Sequence, residues 1–129
     1  MTMAEMRTSS FINGEWVGSS SQIDVLNPAT GKSLASVANA SIADCLRAVD
    51  AADQAFDAWK NTAPRVRGEI LRKAFEIMMA EQEQLARLIT LEMGKILADS
   101  RAEVAYAAEF FRWFSEEAVR IDGDYRRAP

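Results

Sequence analysis

The sequence predicts a short antiparallel β meander followed by about four amphipathic helices. Two observations support this fold. Apolar residues alternate with a period of 2 through roughly the first forty residues, and from Ser41 onward they recur with the helical period of 3.6. At 129 residues the chain has the size of one domain or of part of one.

The predicted strands are separated by turn residues. Residues 1–9 are polar and are expected to form a disordered lead. Asn13-Gly14 lies between Phe11-Ile12 and Trp16-Val17, which favours a hairpin with a type I′ turn because both turn residues accept a positive φ. Two further strands, 23–26 and 34–37, are expected on either side of the turn at 27–31.

The first helix begins at a capping signal. Ser41 followed by Asp44 resembles a capping box, and Pro64 ends the helical pattern. Its apolar residues form one stripe that is expected to be buried: Ile42, Cys45, Leu46, Val49, Ala52, Phe56 and Trp59.

Two shorter helices should follow. The second begins near Thr62–Arg65, and its apolar face is predicted to comprise Val66, Ile70, Ala74, Ile77 and Met78. The third spans about Gln82 to Met93 and should bury Leu85, Leu88, Ile89 and Met93. Gly94 is placed to end it with a left-handed cap.

The fourth helix, from about Leu97 to Arg120, is apolar over an unusually wide arc. One face carries Val104, Ala108, Phe111 and Ala118, and a neighbouring face carries Phe110, Phe114 and Ile121. A helix with one buried side needs a narrower apolar stripe. We therefore expect this helix either to lie between two layers or to contact something that this chain does not contain.

Composition excludes several classes of function. The net charge of −4, without a basic stripe, argues against nucleic-acid binding. The absence of histidine excludes imidazole-dependent triads and zinc helices. A single cysteine fits a reducing compartment, and no apolar run approaches the roughly 20 residues of a membrane span, so a cytoplasmic protein is expected.

No residue pattern by itself indicates a catalytic site. Cys45 lies within an apolar stripe, where a thiol packs in a core more often than it acts as a nucleophile. Gly94-Lys95 lacks the glycine-rich lead of a phosphate-binding loop, and adjacent acids such as Glu116-Glu117 read as solvated helix surface. The aromatic cluster at 110–114 favours core or interface packing and leaves ligand contact open.

Several segments, taken in order, resemble one family. They are Phe11-Ile12-Asn13-Gly14-Glu15-Trp16, the turn at 27–32, the helix segments at 48–52 and 55–59, Leu88-Ile89-Thr90-Leu91-Glu92-Met93-Gly94-Lys95, and Phe110-Phe111-Arg112-Trp113-Phe114-Ser115-Glu116-Glu117-Ala118. Together they resemble the opening of the aldehyde dehydrogenase superfamily, and the last two are most similar to its succinate-semialdehyde dehydrogenase branch.

The resemblance implies an α/β fold in which residues 10–129 form a partial, N-terminal segment of a Rossmann-like cofactor-binding domain. It also implies NAD or NADP as cofactor, a short semialdehyde as substrate, homo-oligomers and the remainder of the enzyme chain as partner. The family's catalytic Asn, Glu and Cys and its cofactor-binding segments would lie beyond Pro129. No catalytic or cofactor-binding residue is therefore assigned, and this chain alone is expected to be inactive.

Two candidate sites follow from the resemblance. Phe110, Phe114 and Glu117 are expected to form the side of the last helix that faces the aldehyde tunnel. Glu92, with backbone carbonyls of Val25 and Leu26, matches the position at which some members hold a monovalent cation. The alternative interpretation is a non-enzymatic helical module that binds a partner through the aromatic face of the last helix.

Overall fold

The computed structural model describes residues 7–123 and contains four short strands followed by four helices, which confirms the predicted order of elements. The strands are β1 (Ser10–Ile12), β2 (Glu15–Val17), β3 (Gln22–Leu26) and β4 (Ser33–Ala38). The helices are α1 (Ile42–Lys60), α2 (Pro64–Ala80), α3 (Gln82–Met93) and α4 (Leu97–Glu117).

The four strands form two separate antiparallel hairpins rather than one continuous meander. In the first hairpin, Asn13 and Gly14 adopt φ values of 51° and 83°, so the positive-φ turn predicted for this pair is confirmed. The hairpins are linked where the Ala38 amide donates a hydrogen bond of 2.7 Å to the Thr8 carbonyl. Residues 1–6 of the expected disordered lead lie outside the described residues.

Helix α1 begins with the predicted capping box. The Ser41 hydroxyl accepts a hydrogen bond from the Asp44 amide at 3.1 Å, and the Asp44 carboxylate accepts one from the Ser41 amide at 2.9 Å. The hydrogen bonds from Ser41, together with the Arg47 guanidinium, lower the pKa of Asp44 to about 2. The start of α1 is therefore determined by local hydrogen bonds that the sequence already indicates.

The apolar stripe of α1 is not buried, contrary to the sequence prediction. No residue of α1 is buried, Ile42 is 82% exposed, and the Cys45 thiol is exposed rather than packed in a core. The principal contact of α1 is with the short strand β1, which is too small to cover a helix of 19 residues. The predicted helix and its apolar stripe are present. The prediction fails because the described residues do not pack against that stripe.

The core lies among α2, α3 and α4. Its fully or nearly fully buried residues are small: Gly68, Ala86, Ser100, Val104 and Ala108. A Cβ atom at Gly68 would lie 2.8 Å from the backbone oxygen of Ser115, which is closer than any side chain tolerates. Glycine is thus required where α2 crosses α4, and the two helices approach each other closely there.

The close approach at Gly68 also turns α2 away from its predicted orientation. Ala74 and Met78 are partly buried, as expected, but Val66, Ile70 and Ile77 are about half exposed. The side chains that pack instead are Leu71 and Phe75, on the same face as Gly68. Periodicity located an apolar face, but the smallest residue determined which side of the helix meets its neighbour.

Two further details of α3 and α4 differ from the sequence prediction. Met93 is 65% exposed, and Phe111, expected on the buried face of α4, is 36% exposed. Helix α4 ends at Glu117 instead of Arg120. Gly94 ends α3 in the left-handed conformation, with φ 74°, as its position predicted.

An ion pair joins α3 to α4. The Arg101 guanidinium donates two hydrogen bonds to the Glu83 carboxylate, at 2.8 and 2.9 Å, and the Arg87 guanidinium lies 3.3 Å from the same group. The Arg101 hydrogen bonds, with a smaller contribution from Arg87, lower the pKa of Glu83 to about 2. Bidentate geometry makes this pair more favourable than an ordinary surface contact.

Substitution of Gly68 by valine should destabilise the helical core. The new side chain would collide with the Ser115 backbone, and overpacking of this kind costs about 1–3 kcal/mol. Thermal unfolding of the 129-residue chain, followed by circular dichroism, measures the loss. Gly18→Val is the matched control, because nothing lies within 4 Å of a Cβ at Gly18. Equal unfolding temperatures for the two variants would contradict the close helix contact.

The Glu83–Arg101 pair should make stability depend on pH in the acid range. The pKa of Glu83 is lower in the folded chain than its usual value of 4.5, so the stabilisation is complete above about pH 4.5. It is lost as the pH falls towards 2, because the unfolded chain then binds the proton more readily. Urea unfolding at pH 6 and pH 3 should show a smaller difference for Glu83→Gln than for the unsubstituted chain. Asp53→Asn, in α1, is the control and should leave the difference unchanged.

Candidate functional site

The candidate site is the exposed aromatic face of α4. The opposite face of this helix holds Ser100, Val104 and Ala108 against α2 and α3. Phe110 and Phe114, one turn apart, therefore point away from the core, and both are about half exposed. The wide apolar arc predicted from the sequence is thus only partly covered by the described residues.

The first groove beside this face lies between α2 and α4 and has a volume of about 670 Å³. Its lining is predominantly apolar, with Trp113 and Phe114 on the α4 side and Ile70 and Leu71 on the α2 side. The remaining lining residues are Trp59, Arg67, Glu117, Ala118, Arg120 and Ile121. An apolar concavity with a few charged groups at its border has the composition of a ligand or interface site.

A second, smaller groove of about 350 Å³ continues along α4. Tyr106 and Phe110 meet edge to face there, with ring centroids 5.1 Å apart, and Trp113 and Phe114 separate this groove from the first. Trp113 and Phe114 therefore border both grooves and lie at the centre of the exposed aromatic face.

The charged groups around the grooves are mostly paired with neighbours on α4 or in the turn just after it. The Arg120 guanidinium donates to the Glu117 carboxylate at 2.6 Å, and Arg112 donates to Glu109 at 2.6 and 2.8 Å. The latter pair raises the pKa of Arg112 above its usual value. Glu117 is therefore held as an ion pair at the border of the first groove, not as an isolated carboxylate.

The structure thus places the three predicted tunnel residues on one side of α4. Phe114 and Glu117 line the first groove, and Phe110 and Phe114 line the second. Sequence reasoning missed Arg67, which belongs to α2 and lines the first groove. Its spacing of three and four residues from Ile70 and Leu71 places it on the groove side of α2, and this spacing was the signal available in the sequence.

The predicted cation site lies near the end of α3. A Cβ at Gly94 would lie 3.1 Å from the Pro28 ring, so the end of α3 approaches the turn that follows β3. Glu92 is exposed in the last turn of α3, and Val25 and Leu26 belong to β3. Within residues 7–123, no cluster of three or more Cys, Asp or Glu side chains is arranged to bind a metal ion.

None of the helices within residues 7–123 is both long enough and apolar enough to cross a membrane.

Comparison with known proteins identifies the family. The model of the aldehyde dehydrogenase family matches residues 16–128. The chain is 46% identical over 120 residues to a glutarate-semialdehyde dehydrogenase of Pseudomonas putida and, equally, to the NADP(+) succinate-semialdehyde dehydrogenase GabD of Escherichia coli. Each alignment covers 92% of this chain and 25% of the relative. The chain therefore belongs to the aldehyde dehydrogenase family.

A solved structure agrees with this assignment. The betaine aldehyde dehydrogenase of Staphylococcus aureus, crystallised in complex with NAD+, superposes with a TM-score of 0.95 at 29% identity. The superposition covers all of this chain and 27% of that one. The chain thus spans about a quarter of the length of the relatives it matches.

Proposed function

We propose that this chain is the N-terminal part of an NAD(P)-dependent aldehyde dehydrogenase subunit that oxidises a short semialdehyde to the carboxylic acid. The observation that carries the proposal is the family match over residues 16–128, with semialdehyde dehydrogenases at 46% identity. Residues 10–129 would form a partial segment of the cofactor-binding domain, and the protein would act in the cytoplasm as a homo-oligomer.

In this proposal the chain supplies scaffold and substrate-facing surface, not catalytic groups. Aldehyde oxidation through a thiol requires a nucleophile, an oxyanion donor, a base and a dinucleotide at one point. Cys45 is exposed on α1 and has no histidine to activate it, so we assign it no such role. The dinucleotide accepts the hydride when bound, and no residue of this chain is proposed to hold it. The chain alone should be inactive.

Phe110, Phe114 and Glu117 are proposed to border the path of the aldehyde. The support is their common side of α4 and the open second groove, which Phe110 and Phe114 line, with Glu117 at the border of the first groove. Phenyl rings suit the methylene chain of a short semialdehyde, because they cover apolar surface without demanding hydrogen bonds. The Arg120 partner keeps Glu117 from presenting an uncompensated negative charge to an acidic substrate.

Glu92 is proposed to attract a monovalent cation, together with backbone oxygens of Val25 and Leu26. The support is the approach of the end of α3 to the turn after β3 and the exposure of the Glu92 side chain. Carboxylate and carbonyl oxygens are hard ligands that suit such a cation.

A chimera tests the proposed function. This chain would replace the matching N-terminal segment of the E. coli GabD enzyme, and NADP+ reduction would be followed with succinate semialdehyde. We expect activity from the chimera and none from this chain alone or from the E. coli remainder alone. A chimera that unfolds in one cooperative transition yet never reduces NADP+ would overturn the proposal and favour the non-enzymatic module.

Replacement of Phe114 by alanine in the chimera should raise KM for succinate semialdehyde roughly fivefold, since loss of a half-exposed ring contact is worth about 1 kcal/mol. The kcat value should change little, because the ring offers apolar contact and no group that could take part in the reaction. Val119→Ala is the matched control, as Val119 is similarly exposed but lines neither groove. Steady-state kinetics of both variants measure the difference. Identical KM values for Phe114→Ala and Val119→Ala would show that Phe114 does not contact the substrate.

A further inference from the structure

Arg67 places a positive charge in a partly buried, mainly apolar position. It is partly buried and lines the first groove, beside Ile70 and Leu71 of the same helix and opposite Trp113 and Phe114. Partly buried guanidinium groups in apolar surroundings are normally paired with an acid, because desolvation of an unpaired charge is costly.

No carboxylate of the described residues pairs with Arg67. The acidic side chain that lines the same groove, Glu117, is bound to Arg120 at 2.6 Å. Across residues 7–123, Arg67 takes part in no ion pair within 4.0 Å, whereas Arg101 and Arg112 of α4 and Arg120 just after it all do. The groove therefore has one cation whose acid is not supplied by the described part of this chain.

The extent of the exposed apolar surface indicates what covers the groove. The second groove adjoins it through Trp113 and Phe114, and Trp59, which lines the first groove, belongs to the exposed stripe of α1. This surface extends over three helices, which is more than a small aldehyde could bury. The aligned relatives are about four times longer than the matched segment, so a full subunit has ample protein to cover it.

We infer that the first groove is the docking site for a later segment of the same subunit, and that this segment presents an aspartate or glutamate to Arg67. This inference rests on the proposed function. The apolar walls would supply burial, and the ion pair would fix the register of the docked segment. Arg67 is then a positioning residue for the assembled subunit and not a catalytic one.

The test uses the chimera with the E. coli remainder and compares Arg67→Gln, Arg67→Met and Arg67→Lys. Methionine retains an apolar stem but removes the charge, so it would leave the facing carboxylate buried and unpaired. We expect the glutamine and methionine variants to lose activity on heating at least tenfold faster than the parent and to unfold at lower temperature. The lysine variant should recover part of the loss. Arg65→Gln, an exposed change two residues earlier, is the control and should match the parent.

Three outcomes would overturn the inference. One is a methionine variant as stable as the parent, because no carboxylate would then face Arg67. Another is an Arg65→Gln variant that loses as much stability as Arg67→Gln. The third is unchanged stability with a KM raised for succinate semialdehyde but not for an uncharged aldehyde, since the acid would then belong to the substrate.

This experiment distinguishes failure of the proposed function from failure of the inference about Arg67. Activity of the unsubstituted chimera tests the function, whereas unfolding temperatures test Arg67 even in an inactive but folded chimera. A folded chimera without NADP+ reduction contradicts the proposed function alone.

Discussion

The close packing of α2 on α4 at Gly68 determines which surfaces this chain can bury. The absence of a side chain at Gly68 lets the backbone of α4 approach near Ser115, and this contact fixes the rotation of both helices. With α4 held in this way, Val104 and Ala108 face inward, and the phenyl rings that follow them face outward. The exposed aromatic face is therefore the side of α4 opposite its packing against α2 and α3.

A core built around glycine, alanine and serine leaves most of the apolar surface uncovered. Three hydrophobic residues are fully or nearly fully buried in the described part of the chain, against twenty-two large hydrophobic side chains that are exposed. Ser100, although polar, is buried without penalty because its hydroxyl bonds Thr90 and the Ile96 carbonyl. Burial of apolar area is the main driving force of folding, so surfaces of this extent normally face other protein. This chain matches about a quarter of the length of its relatives. The large exposed apolar surface is therefore of the kind that the rest of such a longer protein would bury.

Local signals in the sequence were sufficient for the elements but not for their packing. The Asn13-Gly14 turn, the Ser41–Asp44 capping box and the Gly94 cap depend on neighbouring residues only, and all three are confirmed. The buried faces of α1 and α2 depend on partners distant in sequence or outside the described residues; the face of α1 was predicted wrongly, and that of α2 was confirmed only at Ala74 and Met78. At the site, the spacing of Phe110, Phe114 and Glu117 sufficed to place them on one side of α4. The role of Arg67 could not be inferred from spacing, because a missing ion pair is visible only when all neighbours are in place.

The distribution of charge separates the two kinds of surface on this chain. Along the solvent-facing sides of the helices, acids and bases are paired within one turn, as in Arg72 with Glu76 and Arg112 with Glu109. Such pairs are satisfied locally and need no further protein, and each contributes little to stability. The groove between α2 and α4 differs, since it combines uncovered aromatic rings with the guanidinium of Arg67, which pairs with no carboxylate of the described residues. An apolar surface alone can bind many partners. A surface that also carries an unpaired guanidinium is more selective, because its partner must provide both apolar contact and an acid at the right position.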